Sequence, residues 1–441
     1  MKKIIAFVVF IALSVTAARA QERWTLEQCI RYAIDNNITL KQKENQCKQN
    51  EIRLSTARNS RLPDLNGGIS ENFSFGRSLT SDNTYTNTNT NSTGFNLSTS
   101  VPLITGNRIP NTIKAARLSL EASTADLETA RNDIRVQVAQ QFIQIVYDRE
   151  IVAVAKRQIA IDSMQCERLT EMVKVGKASL AELSQHKATM AQSQLTATQA
   201  ENSYRLDILA LTQLLELPSP EGFDILVPNI PDESDFIIPS PDIIYNEAVG
   251  IKPQVKAEQL RLKASEKNIL IAKSALYPSL SLSAGIGTNY YNSTGRPADK
   301  FFDQLKHNFG QNIGISLSVP IFNRLATRNN VRSARIDREN QQLALDNVKK
   351  ALYKEIQQLH YNTIAANAKC QSSKVAAPSS QDAFDLMQSK YEAGKATITE
   401  FNEAKNNLLK AQSDWVQARY QLVYQQALVN FYRGKEISLA M

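Results

Sequence analysis

Two glutamates late in the chain, Glu400 and Glu403, are the residues with the clearest potential for electrostatic chemistry. They are three residues apart, so on a helix both carboxylates lie on the same face. Crowded carboxylates raise one another's pKa and attract cations. A simpler interpretation is a pair of solvated glutamates on a charged helix, and these two residues alone leave both interpretations open.

The cysteines and histidines do not form a recognisable catalytic or metal-binding pattern. No CxxC pair or zinc-type spacing occurs among them. We also find no nucleophile–base pair and no nucleotide-binding loop, so we predict no enzymatic activity, no metal site and no cofactor. The residues concerned are Cys29, Cys47, Cys166, Cys370, His186, His307 and His360.

The first 20 residues have the pattern of an export signal. Lys2 and Lys3 precede an apolar segment, and Ala18-Arg19-Ala20 fits a small-x-small cleavage site. No cysteine follows that site, so a lipid anchor is not indicated. Removing this segment, with its three basic and no acidic residues, lowers the net charge from +8 to +5. The remaining charge indicates a mildly basic surface and no nucleic-acid partner.

The chain contains an internal duplication, because three motifs recur in the same order. Pro63 matches Pro278 at an offset of 215, and two longer motifs match at an offset of 218: Val101-Pro102 with Val319-Pro320, and Gly176-Lys177-Ala178 with Gly394-Lys395-Ala396. We predict two repeats, at 21–217 and 240–433, a linker at 218–239 and a tail at 434–441. At an offset of 218, the residue that corresponds to each cysteine in the other repeat is apolar. This favours buried, unpaired cysteines, and the sequence does not decide whether any two form a disulfide.

Each repeat has the same predicted order of elements: an amphipathic helix, a strand hairpin and two long helices. Strands are expected at about 67–79, 94–104, 280–291 and 311–322 from period-two alternation, with polar loops at 80–93 and 292–308. Their two faces suit lipid and water, or equally a half-buried sheet. Heptad spacing predicts coiled-coil packing of the long helices. We expect a kink or break at Pro378.

These features together resemble the TolC-like outer-membrane factors over essentially the whole mature chain. The resemblance depends on the duplication, the two hairpins, the Val-Pro corners, the Gly-Lys-Ala turns and the opening segment Thr25 to Asn37. It implies a mainly helical protein whose trimer forms a 12-stranded β-barrel in the outer membrane and a long α-helical barrel in the periplasm. The mature chain has no apolar run of about 18 residues, so no transmembrane helix is expected.

The same resemblance assigns roles to particular residues. Glu400 and Glu403 correspond to acidic residues at the pore constriction, although the family often has aspartate there. Glu182 and Tyr391 correspond to tethers that hold the pore shut. A periplasmic adaptor protein is implied at the turns, and an inner-membrane transporter behind it. The turn residues are Gly176, Lys177, Ala178, Gly394, Lys395 and Ala396.

The function implied is passive conduction from an inner-membrane pump and adaptor to the exterior of a Gram-negative cell, in efflux or type I secretion. The alternative is a structural coiled-coil stalk or surface protein without transport activity. A stalk explains the heptads but not the two equally placed strand hairpins. The sequence does not identify the cargo, the adaptor, the pump or the resting state.

Overall fold

A computed structural model of the protein describes residues 23–79, 83–228, 236–294 and 297–438. The export signal predicted at residues 1–20 lies outside the described residues. So do 80–82 and 295–296 of the predicted loops, 229–235 of the predicted linker and 439–441 of the predicted tail.

Helices form most of the described chain, and each half contains the same series. Two shorter helices are followed by a strand hairpin and then by two longer helices. The first half contains α1 (Leu26–Asn36), α2 (Ile38–Asn59), α3 (Arg108–Lys174) and α4 (Leu180–Leu214). The second contains α5 (Pro241–Ile251), α6 (Pro253–Ser274), the short α7 (Phe301–His307), α8 (Ala326–Glu392) and α9 (Ile398–Tyr432).

The strands form two sheets. β1 (Arg23–Trp24) pairs in parallel with β4 (Asp224–Ile225). The larger sheet contains β2 (Asn66–Leu79), β3 (Tyr85–Thr105), β5 (Ser279–Ser293) and β6 (Gly310–Ser318). These strands are antiparallel and lie in the order β2-β3-β5-β6.

The chain forms two compact units. Among the described residues, the first contains 23–45, 125–228, 236–256 and 347–438, and the second contains 46–79, 83–124, 257–294 and 297–346. The large sheet belongs to the second unit. The turns between α3 and α4 and between α8 and α9 belong to the first. None of the described helices has a stretch both long enough and apolar enough to cross a lipid bilayer.

The junctions between α1 and α2 and between α5 and α6 each have a local cause. Asn37 leaves the helical region at ψ 128°, and its side-chain oxygen accepts the Thr39 N–H at 2.9 Å, as a helix N-cap does. In the second half Lys252 takes the same position at ψ 123°. Lys252 precedes Pro253, and the proline ring disfavours helical geometry at the residue before it.

Apolar residues that recur at seven-residue intervals on the long helices include many buried side chains. They form a buried seam in the first unit, which includes Val138, Ile145, Leu183, Leu211, Leu352, Leu359, Phe401, Leu408 and Val429. Hydrogen bonds fix the direction of the partners. Gln141 bonds Asp207 and Ser193 bonds Asp162, so α3 and α4 are antiparallel.

Four details of the sequence-based prediction are wrong. The strand predicted at about 311–322 ends at Ser318, because its partner β5 begins opposite it at Ser279. The loop predicted at 80–93 becomes strand from Tyr85, because threonines alternate with asparagines there and pair with β2 residues 75–79. The loop predicted at 292–308 contains α7, whose Gln304 side chain bonds both backbone groups of Tyr291. Of the kink or break predicted at Pro378, the break does not occur, because α8 continues through this residue. Pro378 is exposed, so water can solvate the carbonyl that loses its N–H partner.

Candidate functional site

The two turns that join the long helices have the same backbone geometry. Gly176 has φ 73° and Gly394 has φ 70°, which is the left-handed conformation that glycine adopts most easily. In both turns the following lysine N–H donates to the carbonyl five residues earlier at 2.8 Å, as in a Schellman motif. Lys177 and Lys395 are exposed, whereas Ala178 and Ala396 are half-buried.

The helices that follow these turns begin with equivalent glutamates that have different partners. Glu182 and Glu400 both stand at the third helical position, 218 residues apart. The Glu400 carboxylate accepts hydrogen bonds from the Thr397 N–H at 2.7 Å and the Thr397 hydroxyl at 2.8 Å. These bonds lower the Glu400 pKa. At the start of α4, the Ser179 hydroxyl accepts a hydrogen bond from the Glu182 N–H at 3.1 Å, and the Glu182 carboxylate does not cap the helix.

The partner of Glu182 is Tyr391, near the end of α8. The tyrosine hydroxyl donates to Glu182 Oε1 at 2.8 Å and lies 2.9 Å from Nε2 of His186. The Tyr391 ring stacks on Phe401 with 5.0 Å between ring centroids. Burial, and then the bond to Glu182, raise the tyrosine pKa, so the phenol stays protonated and serves as a donor.

A second link joins α3 to the end of α8. One terminal nitrogen of Arg168 donates to the Glu392 carbonyl at 3.0 Å, and the other lies 3.6 Å from the Glu392 carboxylate. Sequence reasoning missed this contact because the two residues are 224 positions apart. Together with the tyrosine contact, it ties the end of the α8–α9 hairpin to the α3–α4 hairpin.

A buried ion pair forms a third link deeper in the same unit. Lys405 Nζ lies 2.7 Å from Asp162 Oδ1, and the two side chains are only 3 % and 1 % exposed. The Ser193 hydroxyl donates to the other carboxylate oxygen at 2.5 Å. The pair therefore joins α9, α3 and α4. One sequence signal was available, because Lys405 follows the seam residue Phe401 by one helical turn.

The structure brings Glu182 and Tyr391 together, and it places Glu400 and Glu403 on the first turns of one helix. Glu403 is exposed, and Glu400 is exposed while serving as a cap.

Two of the four cysteines, Cys29 and Cys166, are buried, while Cys47 and Cys370 are partly so, and all four are free thiols.

A family model of outer membrane efflux proteins matches residues 29–216 and 244–433. Named relatives have low sequence identity to this chain, but the similarity extends over most of it. The pyoverdine export outer membrane protein OpmQ of Pseudomonas putida is 25 % identical over 96 % of this chain and 90 % of its own length. OpmQ of Pseudomonas aeruginosa is 26 % identical over 73 % of this chain and 65 % of its own length.

Solved structures have the same fold. The outer membrane protein VceC of Vibrio cholerae aligns with a TM-score of 0.77 at 19 % identity, covering 94 % of this chain and 97 % of VceC. The CmeC outer membrane channel of Campylobacter jejuni aligns with a TM-score of 0.73 at 20 % identity, covering 94 % of this chain and 86 % of CmeC.

The duplicated helical hairpins and the strand hairpins are those of an outer-membrane channel component. The chain belongs to the outer membrane efflux protein family, as its two family matches cover both halves. It is an outer-membrane protein of a Gram-negative bacterium, which confirms the predicted class, fold and location. The comparisons give no support to the coiled-coil stalk alternative.

Proposed function

We propose that three copies of this chain form one passive conduit, with a twelve-stranded β-barrel in the outer membrane. The observation that carries this proposal is that β2 and β6 are the edge strands of the described sheet. Each is hydrogen-bonded to one neighbour in the described sheet. Exposed strand edges invite pairing with further strands, and sister copies supply them. Large apolar side chains on these strands are exposed and suit lipid: Phe73, Phe75, Ile313, Ile315 and Leu317.

The mass of the mature protein in mild detergent tests this assembly. We expect particles of three chains that need detergent to stay dispersed, and ion conductance when they are added to a planar lipid bilayer. A water-soluble monomer that gives no conductance would contradict the proposal.

We further infer that the conduit completes a tripartite efflux system. The exposed turns at Lys177 and Lys395 suit contact with a periplasmic adaptor, and an inner-membrane transporter supplies the energy. One relative that aligns over nearly the whole chain is a pyoverdine export protein, and a cobalt-zinc-cadmium resistance protein, CzcC, is 23 % identical over 70 % of the chain. The names of these two relatives support a small solute as cargo.

The same conduit is closed at the hairpin turns in its resting state. Contacts of Tyr391 with Glu182, and of Arg168 with Glu392, hold the α8–α9 hairpin against the α3–α4 hairpin. In a trimer the side chains of Glu400 and Glu403 converge from three copies and narrow the passage. A ring of carboxylates at a constriction favours cations.

Neutralising this acidic pair tests the closed end. Glutamine at the third helical position still supports a capping box, so Glu400→Gln removes charge and keeps the start of α9. We expect Glu400→Gln with Glu403→Gln to lower the cation-to-anion permeability ratio and to weaken block by divalent cations. Glu171→Gln, at an exposed glutamate near the other turn, is the matched control. Unchanged ion preference in the double variant would count against the acidic constriction.

A further inference from the structure

His186 is the residue beside the tether that neither the sequence patterns nor the proposed function account for. It lies on α4 one helical turn after Glu182 and is 1 % exposed. At the offset of 218 its counterpart in the second half is Ala404, so the histidine is not part of the common architecture of the two halves. Burying an imidazole is costly unless it has a hydrogen-bond partner.

The partner of the imidazole is the hydroxyl of Tyr391, at 2.9 Å from Nε2. A tyrosine hydroxyl can donate one hydrogen bond, and here it donates that bond to the Glu182 carboxylate. The imidazole must therefore be the donor, with its proton on Nε2. The three side chains form one directional chain, from histidine to tyrosine to glutamate. Hydrogen bonds in such a chain strengthen one another.

Aromatic packing fixes the histidine ring in that orientation. The His186 ring lies 5.8 Å from the Tyr391 ring and 6.2 Å from the Phe401 ring, measured between centroids. Phe401 also lies 5.6 Å from Phe384, and both phenylalanines are fully buried. The imidazole thus has little freedom to rotate away from the hydroxyl.

Charged groups from all the helices around the site act on the imidazole. Glu182 on α4 and Asp162 on α3 favour the protonated ring, whereas Lys405 on α9 opposes it, and Tyr391 on α8 provides a neutral hydroxyl. Burial outweighs the two acids and lowers the His186 pKa. The tethered state therefore favours the neutral ring, and a state that exposes the ring to water gains relative stability as the pH falls.

We propose that His186 is a positioning residue of the tether: it aligns the Tyr391 hydroxyl on Glu182, and its protonation in acid favours release of the hairpin. This inference rests on the proposed closing role of Glu182 and Tyr391. It makes the closed end respond to the pH of the compartment around it. The response falls in the range below the ordinary histidine pKa of about 6.5, because above it both states hold a neutral ring.

Single-channel recording on purified trimers in planar bilayers tests the inference, at about pH 8 and about pH 5.5, on either side of the ordinary histidine pKa. At the higher pH we expect His186→Leu to raise the open fraction about fivefold above that of the wild type, the size expected for one lost buried hydrogen bond. Tyr391→Phe loses the hydrogen bonds to both Glu182 and His186, so it should raise the open fraction at least as much. We expect His186→Gln to stay closed at the higher pH, since its amide can donate from the position of Nε2. It should also lose the acid-induced opening of the wild type, because an amide does not titrate.

The outcomes separate this inference from the proposed function. If Tyr391→Phe opens the channel while His186→Leu and His186→Gln match the wild type at both pH values, the tether stands and the role of His186 is wrong. If Tyr391→Phe and Glu182→Gln both leave the channel closed, the proposed tether fails and the inference fails with it. Should His186→Leu not assemble into trimers, the pH profile of His186→Gln decides, and an acid response equal to that of the wild type overturns the proposal.

Discussion

Removing one member of the buried ion pair is expected to destabilise the first unit strongly. In Lys405→Met the Asp162 carboxylate keeps its charge but loses its cationic partner in a site that is 1 % exposed. Breaking such a pair typically costs about 3–5 kcal/mol, because an uncompensated charge stays buried. The figure needs no reduction for solvent screening, since both side chains are almost fully enclosed.

The double variant Asp162→Asn with Lys405→Met should recover most of that loss. Neither charge is left, and the amide oxygen of asparagine can still accept the Ser193 hydroxyl that now bonds the carboxylate. Replacing both members of a buried pair is often close to neutral, so we expect a free energy of unfolding within about 2 kcal/mol of the wild type. The coupling energy between the two substitutions is then at least about 1–3 kcal/mol, the loss in Lys405→Met less what remains in the double variant, and any cost of Asp162→Asn alone adds to it.

The assay is the guanidinium midpoint of the helical circular dichroism signal, compared among variants in one detergent. Lys174→Met is the matched control. Lys174 pairs with Glu171 at 2.7 Å, but the two side chains are 64 % and 70 % exposed, so the expected change is at most about 1 kcal/mol. Equal losses in Lys405→Met and in the double variant would refute the reasoning, because the cost would then come from packing and not from an unpaired charge.

Three further predictions concern the turns, the junction between α5 and α6, and a buried thiol. Gly394→Ala should cost about 1–2 kcal/mol in the same denaturation assay, because φ 70° strains a residue with a Cβ although no atom lies within 4 Å of it, and an unchanged midpoint would contradict this. Burial lowers the Lys252 pKa to about 8, and Lys252 Nζ lies 3.9 Å from the Phe431 ring centroid. The unfolded chain therefore binds more protons between about pH 8 and the ordinary lysine pKa of about 10.5, so stability should rise from about pH 8 to about pH 9.5 in the wild type and not in Lys252→Met. Burial raises the Cys29 pKa to about 12, so iodoacetamide should modify Cys29 only after unfolding, as peptide mass spectrometry can check.

Much of the architecture follows from the sequence because it depends on local patterns. The duplication, the heptad seam and the glycine turns each have a period or a backbone requirement that a single chain displays. The start of β3 was missed because the run from Tyr85 to Asn91 is polar on both faces, so apolar alternation gives no signal there. α8 does not break at Pro378, since a long helix with that residue exposed to water tolerates one lost bond.

The site was only partly predictable, for a different reason. Resemblance to a family selected Glu182 and Tyr391, and the structure brings them into contact. Nothing near His186 in the sequence indicates that its ring meets Tyr391, because the two are 205 residues apart on different hairpins. The Lys405–Asp162 pair is 243 residues apart and was missed for the same reason. Contacts between hairpins depend on which helices become neighbours, and only the folded chain specifies that.

Electron cryomicroscopy of the mature protein in detergent tests the central claim most directly. We predict a threefold particle in which the detergent belt surrounds strands β2, β3, β5 and β6 of each copy, with Glu400 and Glu403 facing the symmetry axis at the narrowest point. A monomeric particle, or a trimer without a belt around these strands, would contradict the assignment of this chain as one third of a membrane-embedded conduit.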